Sequence, residues 1–247
     1  MTSRIPAALS ALAVFLIGAF VLAPGPLSGD LPGGLGASLR QSFEEYWRAG
    51  QRGHLQTVVD YWFRYHLFKG AIAALLLAVL IVLGVLITRR FLHSGGPLRA
   101  VAGVAVGLLG LVALAAVMAN LQGAIAPLAS LFPMLPADVL AQIAPQLAAG
   151  AHPPAAVAVM VDDFALYHVA MAVIATVLAL TFVAATVLAG RRFVRAERAD
   201  RRSRVAIGSF AAVAALLSMV MVVLAMANTT VAADPQPAFQ AFVGGGW

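Results

Sequence analysis

Residues 59–91 read VDYWFRYHLFKGAIAALLLAVLIVLGVLITRRF, and residues 161–193 read VDDFALYHVAMAVIATVLALTFVAATVLAGRRF. Aligned without a gap at an offset of 102 (161 − 59), the two stretches are identical at twelve positions. In the first copy these are Val59, Asp60, Tyr65, His66, Ile72, Ala73, Leu76, Val85, Leu86, Arg89, Arg90 and Phe91. The match predicts an internal duplication, and the apolar run inside each copy predicts a membrane-spanning helix.

The composition agrees with a membrane protein. Of the 247 residues, 62% are hydrophobic and 11% are charged, whereas a soluble domain is about half apolar and about a quarter charged. The net charge is +6, but the basic residues lie in short segments beside apolar runs. That placement is typical of membrane topology, so we expect a lipid bilayer around the chain and no nucleic-acid partner. The chain has no cysteine, which excludes disulfides and thiolate metal sites.

Five apolar runs approach the length of about 20 residues that a helix needs to cross a bilayer. They cover residues 5–23, 67–88, 100–120, 164–189 and 205–227. Backbone facing lipid must satisfy its own hydrogen bonds, so these runs predict helices. The chain then divides into an N-terminal helix or signal anchor (1–23), an outer segment (24–66), a first hairpin (67–120), an outer cap segment (121–163), a second hairpin (164–228) and an outer tail (229–247).

The distribution of arginine predicts the orientation. With the N-terminus inside, the inner segments hold 11 of the 16 basic residues, and the outer segments hold 8 of the 10 acidic ones. An excess of Lys and Arg marks the cytoplasmic side, so we expect the N-terminus inside and the C-terminus outside. Fifteen arginines and one lysine, with abundant alanine, suggest a GC-rich bacterial genome and hence a bacterial plasma membrane. Residues 1–23 fit an uncleaved anchor and also fit a signal peptide.

The outer segments predict a mixture of loop and interfacial helix. Residues 24–40 are rich in Pro and Gly and predict an irregular loop. Residues 42–66 look helical, and a short amphipathic helix is expected at 137–149. Amphipathic helices of this kind lie in the membrane interface.

The outward helices also correspond, at an offset of 108 (226 − 118). Met118–Ala119–Asn120 matches Met226–Ala227–Asn228, and Pro127 matches Pro235. Asn120 and Asn228 are interpreted as helix stops. Both units begin on the outer side, so the sequence predicts parallel repeats about a pseudo-twofold axis along the membrane normal. The predicted fold is therefore an all-α integral membrane protein with five transmembrane helices, in which two tandem hairpins form a four-helix bundle beside the N-terminal helix.

The candidate site consists of the polar residues present in both copies. Tyr65 and His66 share a helical face with Trp62, and Tyr167 and His168 share one with Phe164, because the spacing is i, i+3, i+4. Asp60 is expected to pair with Arg64. The candidate ligand-binding residues are Asp60, Tyr65, His66, Asp162, Tyr167 and His168.

Three interpretations of His66 and His168 compete. Each ring is an interfacial hydrogen-bond partner, or the two line a polar mouth with the aspartates, or they coordinate a metal or a haem b from opposite helices. Aromatic belts and cytoplasmic arginines occur in most membrane proteins, and those rules explain part of the repeat without any site.

A glycine series on the second spanning run predicts close helix packing. Gly103, Gly107 and Gly110 let a neighbouring helix approach, either within the chain or in a homodimer. We find no catalytic motif and no acidic or basic residue in the middle of a span, where proton relays and coupled transporters place them. The leading hypothesis is therefore a non-enzymatic accessory or assembly subunit bound to other membrane proteins. The alternative is transport or ligand binding at the outer mouth.

Overall fold

A computed structural model describes residues 4–49, 53–148, 155–197 and 200–245. Within these ranges the chain is helical and contains no β-strand. The helices are α1 (Arg4–Leu22), α2 (Pro24–Ser28), α3 (Gly34–Ala49), α4 (Gly53–Ser94), α5 (Pro97–Ile125), α6 (Pro127–Leu131), α7 (Ala137–Ala148), α8 (Ala155–Arg195), α9 (Arg201–Ala233) and α10 (Pro235–Val243), with a 3-10 turn at Phe132–Met134.

Five of these helices, α1, α4, α5, α8 and α9, are long and apolar enough to cross a membrane. The structure thus confirms the all-helical class and the five predicted membrane helices of a multi-pass protein. One further apolar pair, Pro127–Met134 and Ala137–Leu147, is bent by 118° at its break. The amphipathic helix expected at 137–149 is present as α7.

The first helix of each hairpin is longer than the sequence suggested. The helix α4 has 42 residues and α8 has 41, which is about 60 Å at 1.5 Å per residue, twice the thickness of the bilayer core. The predicted span at 67–88 is only the middle of α4, and residues 53–66 continue its axis. Residues 42–66 are helical wherever the structure describes them, but they belong to two helices: α3 ends at Ala49, and residues 53–66 are part of the spanning helix.

The segment 24–40 is also more ordered than predicted. Instead of an irregular loop it contains α2 and the first turns of α3. Proline is accepted in the first turn of a helix, where its missing N–H has no intrahelical role, and Pro24 occupies that position in α2. The turns between the two helices use positive φ angles at Gly29, Gly33 and Gly34, which only glycine adopts readily.

The long helices pack as two hairpins, α4 with α5 and α8 with α9. Among the described residues, α5 and α8 make the principal contact between long helices of different hairpins, and α1 lies against α4. A small cluster around Met118, Ala179 and Met221 joins the hairpins within the spanning region.

The largest buried cluster lies elsewhere, at the end of the molecule away from the two Arg–Arg–Phe sequences, residues 89–91 of α4 and 191–193 of α8. It combines the first turns of α4 and α8 with α3, α6, α7 and α10, and we call this assembly the cap. Its interior includes Phe43, Phe132, Ile143, Met160 and Phe239, all nearly inaccessible. The candidate residues of both copies lie where the spanning helices enter the cap.

The second helices of the two hairpins, α5 and α9, break at corresponding places. Ala126, after α5, has φ −126° and ψ 71°, and Asp234, after α9, has φ −140° and ψ 80°. A helix that starts with proline follows each break. Asn120 and Asn228 therefore do not end their helices, which continue for five more residues, and the interpretation of these asparagines as helix stops is wrong.

Candidate functional site

Each repeated histidine is hydrogen-bonded to an asparagine on the other helix of its own hairpin. The distance from His66 Nδ1 to Asn120 Oδ1 is 3.0 Å, and that from His168 Nδ1 to Asn228 Oδ1 is 2.8 Å. The histidines are 102 residues apart and the asparagines are 108 apart, so the bond joins corresponding residues in both hairpins. The same residue pair thus connects α4 to α5 and α8 to α9.

The hydrogen bonds of the asparagines determine the tautomer of the histidines. Asn120 Nδ2 donates to the carbonyl oxygen of Ala116 at 2.7 Å, and Asn228 Nδ2 donates to that of Leu224 at 2.8 Å. A carbonyl oxygen only accepts, so each Asn Oδ1 is left to accept from the histidine. In the neutral ring the proton is then on Nδ1, and Nε2 carries an unprotonated lone pair.

Aromatic rings surround both histidines in the same manner. The centroid of Trp62 lies 4.7 Å from that of His66, edge to face, and the centroid of Phe164 lies 4.6 Å from that of His168. The tyrosines Tyr65 and Tyr167 meet the two imidazoles at 84° and 83°. The aromatic face predicted by the i, i+3, i+4 spacing is therefore formed in each copy.

The two copies differ beside the imidazole. A face of the His66 ring lies against Gly123, where an added Cβ would be only 2.6 Å from Cε1 and from Nε2. The Nε2 atom of His66 is buried and has no hydrogen-bond partner among the described residues. Position 231, which corresponds to Gly123 at the offset of 108, is a valine. Only the first copy has a ring enclosed in this way by glycine.

Polar residues that are not repeated connect the two hairpins and the cap. Gln122 Nε2, on α5, donates to the carbonyl oxygen of Tyr167 on α8 at 3.1 Å. The backbone N–H of Ala129, in the first turn of α6, donates to the carboxylate of Asp163 at 2.6 Å. Trp62 Nε1 donates to the hydroxyl of Ser130 at 2.8 Å. The repeated residues thus act within a hairpin, and these unrepeated residues act between elements.

The structure places the six candidate residues in two groups, three on α4 and three on α8. Asp60 and Asp162 are exposed, and Asp60 accepts a hydrogen bond from Gln56 at 2.8 Å. The predicted pair of Asp60 and Arg64 is absent, because Arg64 Nε donates to the carbonyl oxygen of Ser28 instead. Tyr65 and His66 belong to the first hairpin, and Tyr167 and His168 belong to the second. No hydrogen bond between the described residues joins one group to the other, and the mouth stays a prediction.

His66 does not offer the open ligand position that the predicted haem or metal site needs. A metal ligand needs an open coordination position at its lone pair, whereas Nε2 of His66 is buried inside the hairpin. The described residues also contain no group of three His, Asp or Glu side chains placed to hold a metal ion. We therefore derive no chemistry through haem b or a metal at His66 and His168.

Only part of the predicted glycine series contacts another helix of the same chain. An added Cβ at Gly103 would lie 3.6 Å from Ile87 of α4, so this glycine is in ordinary contact. At Gly107 and Gly110 an added Cβ would meet no described atom within 4 Å. Of the two alternatives for the glycine series, contact within the chain is therefore seen at Gly103, and contact of Gly107 and Gly110 with another helix stays a prediction.

Sequence reasoning missed Lys69, the single lysine. Its ammonium lies 3.2 Å from the hydroxyl of Tyr65 and 4.8 Å from the centroid of Phe20 on α1. A cation above an aromatic ring is stabilised by the ring quadrupole. Lys69 thus links α1 to the aromatic cluster around His66. Lys69 lies near the edge of the predicted span 67–88, where a basic residue is ordinary, although α4 continues for four turns beyond it towards the N-terminus.

The assigned tautomers can be observed directly by nitrogen NMR. In protein with ¹⁵N-labelled histidine, we expect a one-bond proton coupling at Nδ1 of His66 and of His168, and none at Nε2. Exposed His93 is the internal control and should show a mixture of both neutral tautomers. Protonation at Nε2 of either repeated histidine in the neutral ring would contradict the Asn-directed assignment.

The site therefore consists of two His–Asn pairs, one in each hairpin, and a set of unrepeated hydrogen bonds between the halves. Its aromatic rings are Trp62 with Tyr65 and Phe164 with Tyr167. Searches of protein-family models, curated proteins and solved structures gave no match to this chain.

Proposed function

We propose that this chain is a non-enzymatic accessory or assembly subunit of a complex in a bacterial plasma membrane. The observation that carries the proposal is the pairing of each repeated histidine with an asparagine of its own hairpin. These polar residues hold helices together, so they stabilise a scaffold instead of presenting a reactive group to substrate.

The proposal includes an internal duplication with two parallel hairpins about a pseudo-twofold axis, arranged as a four-helix bundle. Its support is the recurrence of the His–Asn bond, the aromatic contacts and the helix break at matching offsets. The excess of arginine at the end of the molecule that carries the two Arg–Arg–Phe sequences supports a cytoplasmic N-terminus and an external C-terminus.

The open part of the glycine series supplies a contact surface for a partner. Gly107 is exposed, and neither Gly107 nor Gly110 has a described neighbour where a Cβ would project. Without side chains at these positions a second transmembrane helix can approach the backbone closely and gain van der Waals contact. The partner is another membrane subunit or a second copy of this chain.

Bulky residues at this surface are expected to disrupt the complex. For the double variant Gly107→Leu/Gly110→Leu, we expect recovery of the co-purifying subunit to fall at least tenfold, because the added side chains hold the helices apart. The matched control is Val112→Phe, which adds bulk at an exposed position of α5 on another face. Native mass spectrometry of the tagged chain, purified from its own membranes, measures the loss.

Two results would count against an assembly role. One is a wild-type chain that is always recovered as a solitary monomer, and the other is an equal loss of partner in Val112→Phe. Thermal unfolding of the purified variants shows whether the glycine substitutions act on association or on the fold.

The second candidate is binding or transport of a small molecule or ion at the histidines. The observation in its favour is the recurrence of Tyr and His at one offset in both copies, with a lone pair on Nε2 of each ring that can accept a hydrogen bond from a ligand. It predicts that His66→Asn/His168→Asn abolishes uptake while the protein remains folded. Unchanged uptake in this variant would exclude the transport candidate, and a purified protein without a Soret band would exclude haem.

A further inference from the structure

A groove with a volume of about 550 Å³ lies at the arginine-rich end of the molecule. It is formed where the C-terminal part of α4 faces the start of α9. Its lining residues are Phe91, Leu92, Asp200, Arg201, Arg202 and Val205. This groove is at the opposite end of the spanning helices from the His–Asn pairs and plays no part in the assembly proposal.

The lining of the groove is amphipathic. Phe91, Leu92 and Val205 form an apolar side, and Arg201 and Arg202 supply two guanidinium groups. Because the groove lies at the end of two membrane-spanning helices, the apolar side adjoins the lipid region and the guanidinium groups adjoin water. This is the arrangement of chemistry in a phospholipid, whose phosphate lies just above its acyl chains.

The carboxylate in the groove is already used by the protein. Asp200 accepts a hydrogen bond from the backbone N–H of Ser203 at 3.0 Å and so caps α9. Hydrogen bonds from Ser203 hold the pKa of Asp200 below its usual range, so the group is ionised at neutral pH. Its negative charge faces the N-terminus of α9. With Arg201 and Arg202 counted, the residues that line the groove carry a net charge of +1.

The two arginines differ in how they are held. Arg202 reaches across to the end of α4, where its guanidinium lies 3.5 Å from the carbonyl oxygen of Leu92 and close over Gly95. Gly95 has φ +67°, and an added Cβ would be 2.8 Å from Arg202 Nη2. Arg201 makes no hydrogen bond or ion pair with another residue that the structure describes. The guanidinium of Arg202 is thus positioned by backbone atoms, whereas that of Arg201 can move to bind an anion.

Neighbouring arginines at this end already have partners of their own. Arg99 donates to the carbonyl oxygen of Gly95 at 2.6 Å. The guanidinium of Arg204 lies over the ring of Phe193 and donates to the carbonyl oxygens of Phe193 and Ala196. These contacts build the connections between helices, and they leave the groove arginines available for a ligand.

We propose that this groove binds the phosphate group of an anionic phospholipid, with Arg201 and Arg202 on the phosphate and the acyl chains along Phe91, Leu92 and Val205. Arginine forms paired hydrogen bonds with phosphate oxygens. The apolar side favours a lipid over free phosphate, since inorganic phosphate has nothing to place there. The site differs from general attraction to an anionic surface because it holds one lipid at one place.

The test measures lipid retention by the full chain in nanodiscs that contain phosphatidylglycerol and phosphatidylcholine. The salt concentration is 0.5 M, where the Debye length is about 4 Å and distant attraction is screened. We expect native mass spectrometry to find one retained phosphatidylglycerol. In Arg201→Gln/Arg202→Gln its retention should fall roughly thirtyfold, because each basic residue at an anionic surface contributes a factor of about five.

The matched control is Arg191→Gln/Arg192→Gln, which removes another adjacent pair of exposed arginines at the same end but outside the groove. It should reduce retention less than threefold. An equal loss in both variants would show diffuse attraction and overturn the proposal. Displacement of the lipid by millimolar inorganic phosphate would overturn it in favour of a free-phosphate site, and retention of phosphatidylcholine in its place would overturn the requirement for an anion.

Discussion

The variant Gly123→Ala should lose the hydrogen bond between His66 and Asn120 and be destabilised by about 3 kcal/mol. The added Cβ would be 2.6 Å from two atoms of the imidazole, which is closer than nonbonded atoms approach, so the ring must move. Overpacking costs about 1–3 kcal/mol, and leaving a buried polar group unpaired costs a similar amount. Unfolding in mixed detergent micelles, followed by tryptophan fluorescence, measures the change in the free energy of unfolding.

The same helix provides the control. In Gly107→Ala the new Cβ meets no described atom within 4 Å, and alanine favours helix over glycine, so the free energy of unfolding should stay equal or rise slightly. In a His66→Ala background, Gly123→Ala should have little further effect, because the ring that it displaces is gone. A similar loss in both glycine variants, or no coupling to residue 66, would contradict the predicted contact.

The variant Asp163→Ala should separate α6 from α8 and cost about 2 kcal/mol. The carboxylate accepts from the backbone N–H of Ala129 at 2.6 Å, and hydrogen bonds to charged groups are worth about 1.5–3 kcal/mol. It also supplies the cap that Ala126, which has no polar side chain, cannot provide to α6. We expect faster amide hydrogen exchange at Ala129, together with a lower free energy of unfolding.

The neighbouring acid gives a control for this prediction. Asp162 is exposed, and Asp162→Ala removes the same charge from the same turn of α8 without touching α6. Its free energy of unfolding should change by less than about 0.5 kcal/mol, as is usual for surface substitutions. If both variants lose the same stability, the effect belongs to net charge and the bond to Ala129 is unimportant.

The spans were predictable from sequence because lipid contact requires an apolar surface over a fixed length. Each of the five predicted runs lies largely within one of the five long helices. The boundaries were not predictable in the same way. The segment 53–66 is polar enough to leave the membrane, but nothing in it interrupts helical backbone. The hydropathy therefore marks a boundary near residue 67, whereas the helix continues through it.

The histidines were found through the repeat, whereas their partners were misread. An asparagine near the end of an apolar run is a common helix stop, and this local rule hid the contact between helices. Counting residues in both directions from the connection between α8 and α9 would have revealed the second His–Asn pair. His168 is 27 residues before the end of α8 (195 − 168), and Asn228 is 27 after the start of α9 (228 − 201), so the two are level across the hairpin.

Gln122, Asp163 and Gly123 could not be identified by comparing the copies, because each differs between them. The corresponding positions hold Thr230, Tyr61 and Val231. A repeat reveals what two units share, namely the contacts inside each unit. The contacts of Gln122 and Asp163 lie between the units, and the contact of Gly123 with His66 occurs in the first unit only. Locating them requires the three-dimensional arrangement of α4, α5, α6 and α8.

Because α4 is one unbroken helix of 42 residues, a small change in its tilt produces a large displacement of its N-terminal end. If residue 77 lies near the bilayer midplane, the N-terminal end of the helix at Gly53 is about 36 Å away at 1.5 Å per residue. A 10° change in tilt then moves that end sideways by about 6 Å. Spanning helices adjust their tilt to bilayer thickness, so we expect a thinner or thicker membrane to shift the cap sideways.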